Sequence, residues 1–359
     1  MQLIDGKTPE GQGVRDAPCA SPRGFAIRGL EIAPPLVLAP MAGLTHAALR
    51  RLILDFGGVG LLFTEMLAAG RVPHENPELS PYLIRTPGER PLAYQLLLAR
   101  EEEVDAAVTA LHRLGADVVD LNLGCPAPTV RKKGGGAALR SAPHRVERIV
   151  TAVRRATWLP LSAKIRLGER LDPGELKDFC QLLEGCGIDM LTVHARLSRE
   201  KFCRPPRWEW VARVKEWVKI PVVANGGIGS VRDARRCLEL SGADGLMIGR
   251  AAPRVPWIFA AIAREVYGLD LVFPPWTLEE VYCRFVHDLE SLFPETRRLG
   301  RLKEFTHYFA ANFTFGHHLA SAVQASRTMA EAGERAREFF SRNRMEADQP
   351  AGERPSEAG

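Results

Sequence analysis

From Leu36 onward, short unbroken apolar runs alternate with amphipathic stretches, the pattern of repeated β-α units around a parallel sheet covered on both faces. Eight such runs can be counted: Leu36–Ala39, Leu61–Thr64, Leu92–Leu96, Val118–Leu123, Leu161–Ile165, Met190–His194, Val222–Asn225 and Leu246–Ile248. Eight units closing on themselves predict a TIM barrel. Between the runs, residues 143–156 read as a helix, because Val146, Ile149, Val150 and Val153 recur at helical spacing on one face. Three runs follow the same short device, Gly115-Ala116-Asp117, Gly187-Ile188-Asp189 and Gly242-Ala243-Asp244, in which glycine ends a helix before the chain enters a strand. The barrel is expected to end near Tyr267. After the break at Phe273-Pro274-Pro275-Trp276-Thr277 the pattern becomes helical. The expected organisation is a flexible N-terminal extension over 1–23, an α/β barrel over 24–272, a smaller helical domain over 278–341, and a disordered tail over 345–359, rich in Glu, Pro, Gly and Ala.

With 359 residues, 46% hydrophobic and 25% charged, the chain is ample for one large core and a small appendage. No stretch reaches the roughly 18 apolar residues of a membrane span, and no basic start precedes an apolar run, so a cytoplasmic protein is expected. Seven scattered cysteines without any C-x-x-C pair imply reduced thiols and no metal site. The net charge of +5 is compatible with a polyanionic partner. In the helical part Arg297, Arg298, Arg301 and Lys303 stand close to Phe305, Tyr308 and Phe309. That cluster reads either as a solvated face opposite a packed one or as a surface for phosphates and exposed bases. No protein partner is evident, and a monomer is expected.

Barrel enzymes keep their chemistry at the C-terminal ends of the strands. Those ends carry Pro40-Met41-Ala42-Gly43, Glu65-Met66, Gln95, Asn122 with Gly124-Cys125, Lys164 with Arg166, His194 with Arg196, Asn225-Gly226-Gly227, and Gly249-Arg250. The two glycine clusters after the last runs have the composition of a phosphate cradle, to which the following helix would add its positive end. Lys164 belongs to a run that should face the barrel interior, so its charge must be paired, reach the mouth, or serve a ligand; an anionic reduced flavin would suit it. Cys125 is either a small buried apolar residue or a functional thiol. A free thiol is largely protonated at neutral pH and can donate a proton as readily as it can attack, which makes it a candidate general acid. Behind it, Arg131-Lys132-Lys133-Gly134-Gly135-Gly136 reads as a flexible basic strip or an ordinary solvated loop.

Over about Leu36 to Phe340 the chain resembles the tRNA-dihydrouridine synthases, flavoenzymes of the TIM-barrel type. The resemblance rests on A-P-M-A-G-L-T (Ala39 to Thr45), T-E-M (Thr64 to Met66), N-L-G-C-P (Asn122 to Pro126) with G-G-G-A-A-L (Gly134 to Leu139), K-I-R-L-G (Lys164 to Gly168), V-A-N-G-G-I (Val223 to Ile228) and L-M-I-G-R-A-A (Leu246 to Ala252). It implies FMN held by Pro40, Met41, Ala42, Gln95, Lys164, His194, Asn225, Gly226, Gly227, Gly249 and Arg250. It further implies that NADPH, or NADH, reduces the flavin, that N5 delivers hydride to C6 of a tRNA uridine, and that Cys125 protonates C5. Asn122, Arg131, Lys132, Arg166 and Arg196 would meet the tRNA, and the helical domain would help to hold it. Two positions depart from the family's usual pattern. His194-Ala195-Arg196-Leu197 replaces H-G-R-T, with Ala195 expected to add a methyl near the cofactor, and Gly227 stands where an acidic residue is common. Two rival readings are a flavin-dependent reductase of a free pyrimidine and an RNA-binding protein that kept the barrel without the reaction.

Overall fold

The computed structural model describes residues 24–351, so the expected extension over 1–23 and the end of the tail lie outside the described residues. A two-stranded antiparallel hairpin opens the chain, β1 (Phe25–Ile27) and β2 (Leu30–Ile32), joined at Arg28-Gly29, both with positive φ. This is the twist-matched two-residue turn of tight hairpins. Eight parallel strands follow: β3 (Leu36–Leu38), β4 (Leu62–Ala68), β5 (Leu92–Leu97), β6 (Val118–Asn122), β7 (Leu161–Arg166), β8 (Met190–His194), β9 (Val222–Asn225) and β10 (Gly245–Ile248). Their order is β3-β10-β9-β8-β7-β6-β5-β4, and a parallel bridge between Val37 and Leu61 closes the ring. The expected TIM barrel is therefore present. The largest difference from expectation is β4, which runs through Glu65 and Met66 to Ala68, with an irregularity between Phe63 and Met66.

Each of the three Gly-x-Asp devices has a physical role beyond ending a helix. Gly115, Gly187 and Gly242 all take positive φ. The aspartate then exchanges two bonds with the first residue of the preceding strand. Leu92, Leu161 and Val222 donate their N–H groups to the carboxylates of Asp117 (2.9 Å), Asp189 (2.9 Å) and Asp244 (2.7 Å), and their carbonyls accept from the aspartates' own N–H groups. Arg85, Arg154 and Lys215 neutralise the three carboxylates. The repeat thus pins strand register at the base of the barrel.

Inside the ring, polarity changes with height. Val37, Leu61, Phe63, Ala93, Val118, Met190, Val223 and Met247 pack with Ile27 and Ile32 of the hairpin into an apolar plug at the bottom. Because side chains alternate along a strand, the next inward positions on β5 to β8 are Gln95, Asp120, Ser162 and Thr192, all 0% exposed. Above them come Asn122, Lys164, His194 and Asn225. An apolar floor below a polar layer closes one end of the barrel and leaves the other for ligands.

The helical region after the barrel contains helices Leu278–Leu292, Arg298–Phe309, Gly316–Ala325 and Met329–Arg342. Tyr282, Phe285, Phe305, Phe309, Phe313, Phe339 and Phe340 form its centre, with Phe285 and Phe305 stacked at 3.7 Å. Two of the aromatic residues considered for nucleic acid, Phe305 and Phe309, are therefore core. The first helix of this region packs on helix Ala47–Phe56 of the barrel and is fixed there by Arg284–Asp55 (2.8 Å) and Arg51–Asp288 (3.3 Å). The tail expected to be disordered from 345 is structured in its first part. Arg344–Ala347 is helical, Leu278 donates to the carbonyl of Gln349, and Ala351 is buried and donates to the carbonyl of Trp276. The apolar Ala347 and Ala351 anchor what composition alone marks as polar.

One buried ion pair ties the first barrel helix to the loop before β5. Arg50 and Glu89 are 1% and 0% exposed and meet at 2.8 Å, while Nη1 and Nη2 of the guanidinium also donate to the carbonyls of Thr45 and Ile84. Removing one partner leaves the other charge buried and alone. Glu89→Ala is expected to cost about 3–5 kcal/mol in denaturant unfolding; a loss within about 0.5 kcal/mol, the range of ordinary surface substitutions, would contradict this reading.

Candidate active site

At the C-terminal mouth of the barrel lies a cavity of about 560 Å³. Its wall brings together every position named from sequence as a cofactor contact: Pro40, Met41, Ala42, Gln95, Lys164, His194, Asn225, Gly226, Gly227, Gly249 and Arg250. Cys125, Asn122, Arg166 and Arg196 line it too. Arg131 and Lys132 do not. They lie on the short helix Pro128–Lys132 behind the cysteine loop, where Arg131 pairs with Glu169 at 2.7 Å and Lys132 is exposed.

The loop after β3 is held by its neighbours. Met41 N–H donates to Thr45 Oγ1 (3.0 Å) and Gly43 N–H to Glu65 Oε2 (2.6 Å). Burial pushes the Glu65 carboxyl up from its ordinary range, and the Gly43 bond opposes that shift. On the floor, Lys164 Nζ donates to Asn225 Oδ1 (2.9 Å), and Asn225 Nδ2 donates to the carbonyl of Met247 (2.8 Å). Removal from bulk water brings the Lys164 ammonium down to about 7, with the Arg166 charge acting in the same direction and Asp120 and Cys125 opposing. An anionic ligand beside it would restore its charge.

His194 is kept neutral by burial and then by Lys164, Arg166, Arg196 and Arg250 around it. Arg196 Nη1 lies 3.1 Å from His194 Nε2. A guanidinium can only donate, so Nε2 accepts and the ring proton sits on Nδ1. Arg196 is 3% exposed and also donates to the carbonyl of Arg204 (2.6 Å); Arg166, 7% exposed, donates to the carbonyl of Leu197 (2.9 Å). Both cations therefore shape the loop after β8 as well as charging the cavity. Ala195, expected near the cofactor, is fully buried in the core outside the barrel ring and does not line the cavity. Adjacent strand residues point to opposite faces, which sends its methyl away from His194.

The glycine cradle fits an anion. A Cβ on Gly226 would stand 2.9 Å from His194 Nε2 and 3.0 Å from Arg196 Nη1, so only glycine lets the backbone come this close to the His194 ring and the Arg196 guanidinium. At the helix after β9, Val231–Ser241, Asp233 N–H donates to Ser230 Oγ, and just before it Gly229 N–H donates to Asp233 Oδ2. Arg196 and Arg250 add positive charge at this end of the cavity. With Lys164 and Arg166 on the other side, the donor set suits a group carrying both a phosphate and an electron-rich ring.

Sequence reasoning gave Phe202 no role, and it named Tyr308 only as one member of the basic and aromatic cluster. Phe202, 50% exposed, lies parallel to the His194 ring at 6.1 Å, with Arg250 over its face at 4.2 Å and Arg166 at 5.7 Å. It offers a flat surface at the mouth. Tyr308 reaches the cavity from the helical region, whereas the nearby Arg301 turns inward against Phe293 and Tyr82. The helical period could have separated Tyr308 from the buried Phe305 and Phe309; nothing in the loop sequence singled out Phe202.

Cys125 stands on a loop fixed from both sides. Its N–H donates to Asn122 Oδ1 (2.9 Å), and its carbonyl accepts from Ala137 N–H (3.0 Å). The glycines expected to make a flexible strip are packed instead: Gly136 is buried at φ +58°, and a Cβ there would meet the Cys125 carbonyl oxygen at 2.7 Å and its Cβ at 3.2 Å. Gly136→Ala is expected to cost about 1–3 kcal/mol through backbone strain and to alter the alkylation rate of Cys125 in the folded protein. Unchanged thermal stability and thiol reactivity would show that the loop does not depend on this contact.

A family profile described as Dihydrouridine synthase (Dus) matches residues 37–344. The chain is 38% identical over 277 residues to the tRNA-dihydrouridine(16) synthase of Pseudomonas putida, covering 75% of this chain and 82% of that one. It is 36% identical over 263 residues to the probable tRNA-dihydrouridine synthase 1 of Synechocystis, covering 73% of each, and 36% identical over 263 residues to tRNA-dihydrouridine synthase B of Escherichia coli K12, covering 72% and 81%. Among solved structures, a 2-naphthoyl-CoA reductase in complex with 2-naphthoyl-CoA has a TM-score of 0.50 at 10% identity, over 69% of this chain and 52% of that one, a likeness of fold alone. A matched profile spanning the barrel and the helical region, with relatives above 30% identity over most of both chains, shows that this chain belongs to the dihydrouridine synthase family.

Proposed function

We propose that the protein reduces the C5–C6 double bond of uridine in tRNA to give 5,6-dihydrouridine, with FMN in the mouth cavity and NADPH or NADH as the reductant. The observation that carries this reading is the placement of Cys125 on the rim of the same cavity that Lys164, Gln95 and the glycine cradle line. FMN bound there would supply the hydride that adds to C6.

The residues of this chain then divide the remaining work. Pro40, Met41 and Ala42 form one wall against which a planar ring can pack, and Gln95, Lys164 and Asn225 present polar atoms from the floor. Lys164 contributes positive charge where electron density rises on reduction. Gly226, Gly227, Gly249, Arg250 and the Arg196–His194 pair would receive the phosphate. Hydride addition to an enone leaves a developing enolate, and the Cys125 thiol provides the proton that C5 requires. Asn122 and the buried Arg166 flank the position of the base, while Arg131, Lys132 and the helical region offer contacts to the polyanion beyond it. A uridine must leave the tRNA fold to reach a floor this deep. The Phe202 ring is suited to receive it or a neighbouring base by stacking.

Cys125→Ala is expected to retain FMN and its reduction by NADPH while losing roughly 10²–10⁴-fold in dihydrouridine formation, followed by single-turnover assays on unmodified tRNA. Undiminished turnover would remove the thiol from the mechanism. Lys164→Ala should weaken FMN retention about tenfold or more, a difference of ~1.4 kcal/mol, read by fluorescence of released flavin. A variant that holds FMN as tightly and is reduced as fast would refute the role given to the ammonium.

A further inference from the structure

Asp120 is the one acidic residue in the inward-facing polar layer on β5 to β8, and it is 0% exposed. Its Oδ1 accepts from Ser162 Oγ (2.5 Å) and its Oδ2 from Gln95 Nε2 (2.7 Å). A carboxylate only accepts, so the Gln95 amide has one permitted orientation, with nitrogen toward Asp120 and oxygen away. That oxygen accepts from Asn122 Nδ2 (2.8 Å), which turns Asn122 Oδ1 to the N–H groups of Gly124 (3.3 Å) and Cys125 (2.9 Å). Donor and acceptor alternate without a break from a buried carboxylate to the backbone of the candidate acid. We infer that Asp120 is a positioning residue, which by fixing the direction of the Gln95 and Asn122 amides sets the cofactor-facing edge of Gln95 and the conformation of the loop that carries Cys125.

Burial raises the Asp120 carboxyl to about 6, opposed by the Ser162 and Gln95 bonds and the Lys164 charge, so the carboxylate prevails at neutral pH. The inference rests on the proposed roles of Cys125 and Gln95, but it concerns wiring that can be read without turnover. If the chain is directional, reversing one link breaks it and reversing both restores it. Asn122→Asp sets a carboxylate oxygen against Gln95 Oε1, and Gln95 cannot flip because its oxygen would then face Asp120. Adding Asp120→Asn frees the flip: Asn at 120 donates to Gln95 Oε1 and still accepts from Ser162, Gln95 Nε2 donates to Asp at 122, and that carboxylate still receives Cys125 N–H.

The test is a double-mutant cycle on the full-length protein with FMN. Two quantities are read: the FMN dissociation constant, and the rate of Cys125 alkylation by iodoacetamide, mapped by peptide mass spectrometry with the exposed Cys203 and Cys283 as internal references. Asn122→Asp is expected to weaken FMN binding and change Cys125 reactivity by roughly tenfold or more, the cost of a buried unmatched acceptor. Asp120→Asn alone should stay within about threefold, and the double variant should recover to near the parent on both readouts. A double variant as impaired as Asn122→Asp, or worse by the sum of the two, would overturn the inference. Should Asn122→Asp not fold, the same rule applies to Gln95→Glu, which faces Asp120 with a second carboxylate and should likewise be rescued by Asp120→Asn; failure of that rescue would also overturn it. Cys203 and Cys283 reactivity should not move in any variant, which separates a change in the loop from general loosening.

Discussion

A charged and amide-rich layer sealed inside a closed sheet is the constraint from which the rest of this molecule follows. Lys164, Asp120, Gln95 and Ser162 sit in a ring that is apolar below and walled by helices outside, so each polar atom must find its partner within the layer or in whatever occupies the mouth. The hairpin of β1 and β2 matters for this reason. Its Ile27 and Ile32 complete the apolar plug below the polar layer, at the end of the barrel opposite the cavity that Cys125 lines. The lowered proton affinity of the Lys164 ammonium is the electrostatic consequence, and it makes the layer receptive to negative charge.

The same economy shapes the rim. The Cys125 loop is held by hydrogen bonds at both flanks, to Asn122 on one side and to Ala137 across Gly136 on the other. Arg196 likewise works twice, orienting the His194 tautomer and tying down the backbone at Arg204. On the far side, salt bridges from Arg284 and Arg51 lock the helical region to the first barrel helix, which brings Tyr308 to the cavity edge. A site assembled this way is rigid where it would hold a cofactor and varied in chemistry where it would meet a substrate.

Much of this was legible in the amino-acid sequence, for definite reasons. Strands buried on both faces are continuous apolar runs, so all eight barrel strands and the helix at 143–156 were readable. Because barrel chemistry gathers at strand ends, the cavity residues that stand at those ends could be named in advance, Cys125 and Lys164 among them. Shorter signals were missed. The F-A-I-R-G-L-E-I hairpin has three-residue strands, too brief for a period to register, and Asp120 drew no attention within the run Val118–Leu123 although its parity with Asn122 sends it inward. Composition misled in two places. Glycines at 134–136 suggested flexibility where close packing against Cys125 requires them, and a polar tail concealed two alanines that anchor it to Trp276 and the first helix of the helical region. Loop geometry such as that of Phe202 depends on tertiary contacts with Arg250 and His194, which no local pattern encodes.

Whether this mouth cavity reduces uridine in tRNA can be read by nucleoside mass spectrometry of unmodified tRNA incubated with the purified protein, FMN and NADPH. A nucleoside two mass units above uridine, about 246 rather than about 244, is expected, dependent on the protein and both cofactors and consistent with hydride plus proton addition. Flavin that is bound and reducible, with tRNA left unchanged and a free pyrimidine reduced instead, would contradict it.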